Sequence, residues 1–168
     1  VAAALYNAKK ADFQIAAVNT LGVLYVVENG NTVTDIKSLK GKTINATGKG
    51  STHEYILRYV LEENGIDPDT DVTLDFSYTE HAELAAHVAS GSVSIAVLPE
   101  PMVTIARSAS SNLVTSLDLT EEWEKVYGEN TLMQGCIVVR TEWAEVNPEA
   151  LATFLEEYEG SVKYTVKN

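Results

Sequence analysis

Apolar and polar positions along this chain change period at regular intervals, and those changes delimit its elements. Residues 2–9 read as the end of a helix, followed by an apolar strand over Phe13–Val18. Asn19-Thr20 interrupts that strand, and Leu21–Glu28, rich in Val, Leu and Tyr, resumes as a second one before the turn Asn29-Gly30-Asn31. A helical turn at Asp35–Leu39 leads into Gly41-Lys42. A strand–helix unit then repeats. Thr43–Thr47 is a strand, and the helix from Thr52 to Asn64 places Ile56, Leu57, Val60 and Leu61 on one face, with Gly65 just past its end. Val72–Tyr78 alternates as a half-buried strand, and Ala82–Ser90 is a helix closed by Gly91. Val93–Leu98 is a continuous apolar run suited to a strand covered on both faces. Pro101–Ser108 opens a third helix with proline in its first turn, and Leu113–Leu117 is a fourth strand.

Strands alternating with helices predict an α/β fold, a mostly parallel sheet flanked by helices and joined by right-handed crossovers. The remainder reads differently. Thr120–Tyr127 is a short acidic helix anchored by Trp123, and Leu132–Arg140 is an apolar strand. Asn147 then caps a helix with Pro148 at its first position and Leu151, Phe154, Leu155, Tyr158 and Val162 as its buried stripe.

Composition narrows the class of partner. The 168 residues suffice for one ordinary domain or one lobe of a larger molecule. Acidic residues number 24 against 12 basic ones, and between Glu54 and Glu100 the only Lys or Arg is Arg58. That field repels nucleic acid and anionic lipid, which excludes both as expected partners. Cys136 is the single cysteine, so an intrachain disulfide and a cysteine-rich zinc site are ruled out, and its apolar run suits a buried inert thiol. No apolar segment is long enough to span a bilayer. The start Val1–Tyr6 carries no charged leader and begins inside a helix without a cap, so a fragment or processed product is expected.

The candidate chemistry lies at the strand-to-helix turns. Thr47-Gly48-Lys49-Gly50-Ser51-Thr52-His53-Glu54 and Val97-Leu98-Pro99-Glu100-Pro101 both follow short β-branched runs, and in a parallel sheet such turns share one rim where ligands collect. Gly48 and Gly50 permit close approach of a ligand to backbone, Ser51 and Thr52 add hydroxyls, and the helix start adds partial positive charge. The same residues also suit a plain turn with a Ser cap. A triphosphate loop is excluded because Lys49 is followed by Gly50. Two prolines restrict Glu100, which reads as a rim carboxylate for an amine, amidine or ring N–H, or as a cap for the helix opening at Pro101. His53 and His81 both sit near helix starts on that rim, but their spacing fits no short metal motif, so no metal and no cofactor are expected. His87 reads as a surface residue, Asp67–Asp71 as a solvated acidic loop without the calcium-loop pattern, and Tyr55 and Tyr59 as a packing pair. No nucleophile elbow, catalytic cysteine setting or dinucleotide fingerprint occurs.

Leu39-Lys40-Gly41-Lys42-Thr43-Ile44, the Gly48–Thr52 turn and Leu98-Pro99-Glu100-Pro101, taken in order, resemble substrate-binding proteins of ABC importers, in the NMT1/THI5-like branch. Gln134–Arg140 and Asn147-Pro148-Glu149-Ala150 through Tyr158 extend the resemblance over essentially the whole chain. It implies a type II periplasmic-binding-protein-like lobe with hinge strands. Residues 1–37 would be a first-lobe remnant with the outgoing hinge strand, 38–118 the second α/β lobe, and 119–168 the returning hinge strand and a first-lobe helix. Leu21–Glu28 and Gly135–Arg140 are then expected to pair antiparallel. The implied ligand-binding residues are Asn19, Thr20, Gly48, Lys49, Gly50, Ser51, Thr52, His53 and Glu100, with His53 standing where close relatives would carry proline. The implied function is non-enzymic capture of a small polar or anionic molecule for a membrane permease of an ABC importer. The protein would be a bacterial lipoprotein, a monomer at the extracellular face of the membrane or in the periplasm. A thiamine-pyrimidine synthase-like enzyme of the same fold is the alternative, and the effector-binding lobe of a transcriptional regulator a third.

Overall fold

The computed structural model describes residues 6–7 and 12–167. Tyr6 and Asn7 are helical, and the rest of the helix expected over 2–9 lies outside the described residues. The chain divides into two compact units, one formed by Leu21–Gln134 and the other by Val1–Thr20 with Gly135–Asn168.

The larger unit is built on a five-stranded sheet. Its strands are β2 (Leu24–Asn29), β3 (Thr43–Asn45), β4 (Thr73–Asp75), β5 (Ile95–Pro99) and β6 (Leu113–Asp118), in the spatial order β4-β3-β5-β2-β6. β3 runs parallel to β4 and β5, whereas β2 runs antiparallel to both β5 and β6. The sheet is therefore mixed, with four strands in one direction and β2 reversed among them. Helices α1 (Thr52–Glu63), α2 (His81–Ser90) and α3 (Met102–Ala109) follow β3, β4 and β5, and α4 (Leu119–Tyr127) follows β6.

Strand alternation divides the core between the two faces. Val26, Ile95 and Val97 join Ile56, Leu57, Val60 and Leu61 of α1 in one buried cluster. Val27, Ala96 and Leu98 join Leu84, Ala85 and Val88 of α2 and Val103 and Ala106 of α3 in the other. All five residues of β5 are buried, as its continuous apolar run requires. At the far end of β2, the buried Glu28 carboxylate accepts from Thr32 N–H at 2.7 Å, Val33 N–H at 2.9 Å and Thr32 Oγ1 at 2.5 Å, fixing the turn that leaves the strand.

The smaller unit contains most of β1 (Phe13–Leu21) and β7 (Met133–Arg140), which pair in a two-stranded sheet. Helices α5 (Thr141–Val146) and α6 (Pro148–Lys167) complete it.

Four expectations from the sequence are corrected here. Asn19-Thr20 does not interrupt the strand, because β1 continues to Leu21. The break falls at Gly22, whose φ is +46° and whose N–H donates to the Leu132 carbonyl at 3.1 Å. Leu21–Glu28 does not pair with Gly135–Arg140; β7 pairs with β1 instead. The reason is burial: Leu24, Val26 and Val27 need cover on both faces, which only the interior of the larger sheet supplies. The α6 stripe is not buried, since Leu151, Leu155 and Tyr158 are half-buried and Phe154 and Val162 exposed, with no layer over them among the described residues. Cys136 is likewise only partly buried, because β7 lies in a two-stranded sheet rather than a covered one.

Gly22 generates a test. A Cβ built there lies 1.9 Å from Thr120 Oγ1, on a backbone that L side chains rarely adopt. Gly22→Ala is expected to destabilise the larger unit by about 2–4 kcal/mol, from steric displacement plus the positive φ, as read from urea midpoints. An unchanged midpoint would show that the segment rearranges freely.

Candidate functional site

The parallel register brings three connections to one sheet edge. β3, β4 and β5 run the same way, so the turn after β3, the approach to His81 after β4 and Pro99-Glu100-Pro101 after β5 all leave the sheet on that rim. Gly48 and Gly50 take φ of +74° and +75°. At Gly48 a Cβ would stand 2.5 Å from Ser51 Oγ, so no side chain fits the turn there. At Gly50 a Cβ would meet nothing within 4 Å, so the backbone faces open space.

Ser51 is the N-cap of α1, its Oγ accepting from His53 N–H at 3.3 Å, while its own N–H donates to the Gly48 carbonyl at 2.9 Å. Glu54 closes the turn from the other side. Its Oε2 accepts from Gly50 N–H at 2.6 Å and its Oε1 from Arg58 Nε at 2.8 Å, and Arg58 Nη1 reaches Asp69 at 2.8 Å. The Gly50 N–H and the Arg58 guanidinium hold the Glu54 carboxyl below its ordinary range, against the burial that opposes them. An internal carboxylate thus occupies the Gly50 amide. The N–H groups of Lys49 and Thr52 have no partner among the described residues.

The two histidines meet. The His53 and His81 rings lie 5.3 Å apart between centroids, tilted by 45°. The buried Thr47 fixes His81, with its Oγ1 2.6 Å from His81 Nδ1, and the direction of that hydrogen bond follows the ring tautomer. Burial, and then the neighbouring His81, push the His53 pKa down, so its imidazole is neutral at pH about 7. Among the described residues no three His, Cys, Asp or Glu side chains gather to hold a metal ion.

Glu100 is exposed, and its carboxylate accepts from Thr104 N–H at 3.3 Å and Thr104 Oγ1 at 3.1 Å, capping the first turn of α3. Its N–H donates to the Val23 carbonyl at 3.0 Å. Tyr25 lies nearby, its hydroxyl pKa raised by burial and then by Asp118, Glu100 and Glu121. The rim therefore has an imidazole end over β3 and β4 and an acidic end around β5, β2 and β6. Asn19 and Thr20 belong to the smaller unit. There Asn19 Nδ2 donates to Tyr158 Oη at 3.3 Å, and Thr20 Oγ1 donates to Asn19 Oδ1 at 3.3 Å. Gly135 presses against both, since a Cβ there would fall 2.6 Å from Thr20 Oγ1 and 2.7 Å from Asn19 Oδ1.

Sequence reasoning missed Glu54, Thr47, Tyr25 and Gly135 as parts of these settings. A signal existed for Glu54: Ser51-Thr52-His53-Glu54 has capping-box spacing, although here the carboxylate bonds to Gly50 rather than to the cap residue. The other readings fare variously. Tyr59 lies tilted against Trp123 and stacks on Tyr127, centroids 5.0 and 5.2 Å away, while Tyr55 is 62% exposed beside a groove of about 330 Å³. His87 is partly buried, packing on Tyr78 with Nδ1 2.8 Å from Ser92 Oγ.

The His53 imidazole is expected to titrate below about 6.5. His81→Gln should raise its pKa only in part, because burial is the larger cause. With the folded pKa below the unfolded one, His53 contributes stability that is present above about pH 6.5 and lost as pH falls through the folded value. Imidazole C–H proton shifts followed by NMR check both points, and a His53 pKa above 6.5 would refute them.

Comparison with known proteins agrees with this architecture. A sequence stretch is 30% identical, over 126 residues, to the nitrate/nitrite binding protein NrtA of Synechococcus elongatus, covering 74% of this chain and 26% of that protein. An ABC transporter structure from Parabacteroides distasonis superposes with a TM-score of 0.66 at 25% identity, covering 99% of this chain and 55% of that one. The periplasmic aliphatic sulphonate binding protein SsuA of Escherichia coli shares the fold with a TM-score of 0.68 at 19% identity, covering 90% of this chain and 49% of that one. The chain thus spans about a quarter of the nitrate/nitrite binding protein and about half of each of these two structures. A model of the NMT1-like family matches residues 5–164, and the chain belongs to that family.

Proposed function

We propose that the protein is the solute-binding component of an ABC importer, holding a small polar or anionic molecule at the rim of the five-stranded sheet. The observation that carries this is the Gly48–Thr52 turn, with open space at Gly50 and two unpaired N–H groups, on the shared edge of the parallel strands β3, β4 and β5. Membership of the NMT1-like family supports it, and so does similarity to proteins named for binding nitrate, nitrite and sulphonates.

In this reading the unit carrying the five-stranded sheet is the second lobe. Gly48, Lys49, Gly50, Thr52, His53 and Glu100 face the ligand, Ser51 shapes the turn through its cap, and Asn19 and Thr20 are ligand contacts on the resemblance alone. Ligand capture favours a closed state by its differential affinity, without chemistry. The partner is a membrane permease, the protein acts as a monomer outside the cytoplasmic membrane, and no turnover of thiamine-precursor substrates is expected. Among the described residues no helix is long and apolar enough to cross a membrane. A thiamine-pyrimidine synthase-like enzyme would need a histidine-borne metal, so retention of one equivalent of iron or zinc through His53 or His81 after dialysis would favour that reading.

Gly50→Val tests the site. A Cβ at Gly50 meets no atom within 4 Å, so the main effect on folding comes from the positive φ, roughly 1–3 kcal/mol, while the valine intrudes where the ligand approaches. Binding should fall at least about tenfold. Ser51→Ala should cost stability of about 0.5–2 kcal/mol through the lost cap, and lower affinity about two- to tenfold by loosening the turn. Calorimetric titration of the full-length protein with nitrate, sulfate and methanesulfonate, paired with thermal melts, reads both. Parental affinity in both folded variants would place the ligand elsewhere.

A further inference from the structure

We infer that His53 and His81 together form a proton-accepting receptor for a small oxyanion, taking up one proton from solvent as the anion binds. The inference rests on the rim being the ligand site and names the charge chemistry of that site.

The geometry sets the argument. The two rings stand 5.3 Å apart, both half-buried, so two imidazolium charges there would repel in a partly desolvated setting. Each ring is nevertheless reachable. Neither nitrogen of His53 nor Nε2 of His81 has a hydrogen-bond partner among the described residues. Thr47 holds His81 by Nδ1, and Gly48 leaves His53 Nδ1 bordered by bare backbone, with a Cβ built there 3.7 Å from that nitrogen.

The surrounding charges leave Lys49 and the two imidazoles as the sources of positive charge at this end of the rim. On the same helix, Glu54 is taken by Gly50 N–H and Arg58, and Arg58 is shared between Glu54 and Asp69. On the turn, Lys49 is the one permanent cation, without an ion pair among the described residues. At the start of α2, Glu80 and Glu83 flank His81 in sequence. Across the rim, Glu100, Asp118 and Glu121 act on Tyr25. The whole chain carries a formal charge of −12. An oxyanion entering this field gains from each proton placed on the pair, and it offsets the repulsion that two imidazolium rings at this separation would feel. By linkage, the anion raises the pKa of the pair and protonation raises the affinity for the anion by the same factor.

The test is calorimetric titration of the full-length protein with nitrate, sulfate and methanesulfonate between about pH 5.5 and pH 8, in two buffers of different protonation enthalpy. The expected result is affinity rising as pH falls, by up to about tenfold per unit above the pKa of the free pair, with uptake approaching one proton. His81→Gln and His53→Gln should each retain weaker binding and lose most of the uptake, with thermal melts confirming that each folds. The proton count on the parent protein needs no variant. Binding with a buffer-independent enthalpy and pH-independent affinity overturns the receptor and leaves the rim reading intact. Proton-coupled binding indifferent to both histidine variants also overturns it. Binding indifferent to Gly50→Val as well overturns the rim reading too. Absence of binding by all three anions across the pH range overturns the receptor, while a neutral solute bound in a Gly50-dependent way would preserve the rim.

Discussion

The arrangement of the larger unit depends on burying β2 on both faces. Leu24, Val26 and Val27 are almost completely withdrawn from water, which is achieved by inserting the strand antiparallel between β5 and β6. Once β2 fills that slot, β5 is covered on both sides and carries β3 and β4 in parallel beyond it. The edge where those three strands end is the rim. Glu28 anchors the opposite end of β2 with three hydrogen bonds, so the strand is held at the end away from the chemistry. Burial dictates the topology, and the topology brings the three turns to one rim.

Electrostatics then divide that rim. A helix start with free N–H groups attracts anions, but here part of that attraction is already answered by the Glu54 carboxylate on Gly50. Arg58 neutralises Glu54 and ties the turn to the acidic loop through Asp69, so the turn is rigid before any ligand arrives. A preorganised turn spends little of its binding energy on ordering itself. The imidazole pair at one end and the carboxylates near Tyr25 at the other give the edge a polarity that suits a solute with a defined orientation.

Much of this was legible in the residues. The continuous run Val93–Leu98 specified a doubly covered strand, and the alternation of strand and helix from Thr43 to Leu117 specified the parallel part of the sheet. Gly50-Ser51-Thr52 marked the start of α1 to the residue, because a cap and two turn glycines leave few alternatives. Pairing partners were not legible. An apolar segment of six residues reads the same in a sheet centre or in a two-stranded ribbon, so the placement of β2 and the union of β1 with β7 emerge only from the packing. The same holds for the histidines. Their proximity follows from the parallel register of β3 on β4, which no local pattern encodes. The apolar stripe of α6 shows the converse: periodicity identified a face, while cover for that face depends on neighbours that periodicity does not name.

The aromatic packing around Trp123 gives the molecule a built-in optical readout. The chain has two tryptophans, and they fall in different units. Trp123 donates its Nε1–H to Thr131 Oγ1 at 3.1 Å and lies 5.0 Å from Tyr59, on the helix that begins at the glycine turn. Trp143 is 43% exposed in the other unit. The environment of the partly buried Trp123 depends on the packing of α1 on α4, whereas Trp143 is the more exposed of the two indoles. Trp123 therefore places an intrinsic chromophore against the helix that carries the turn, without any label.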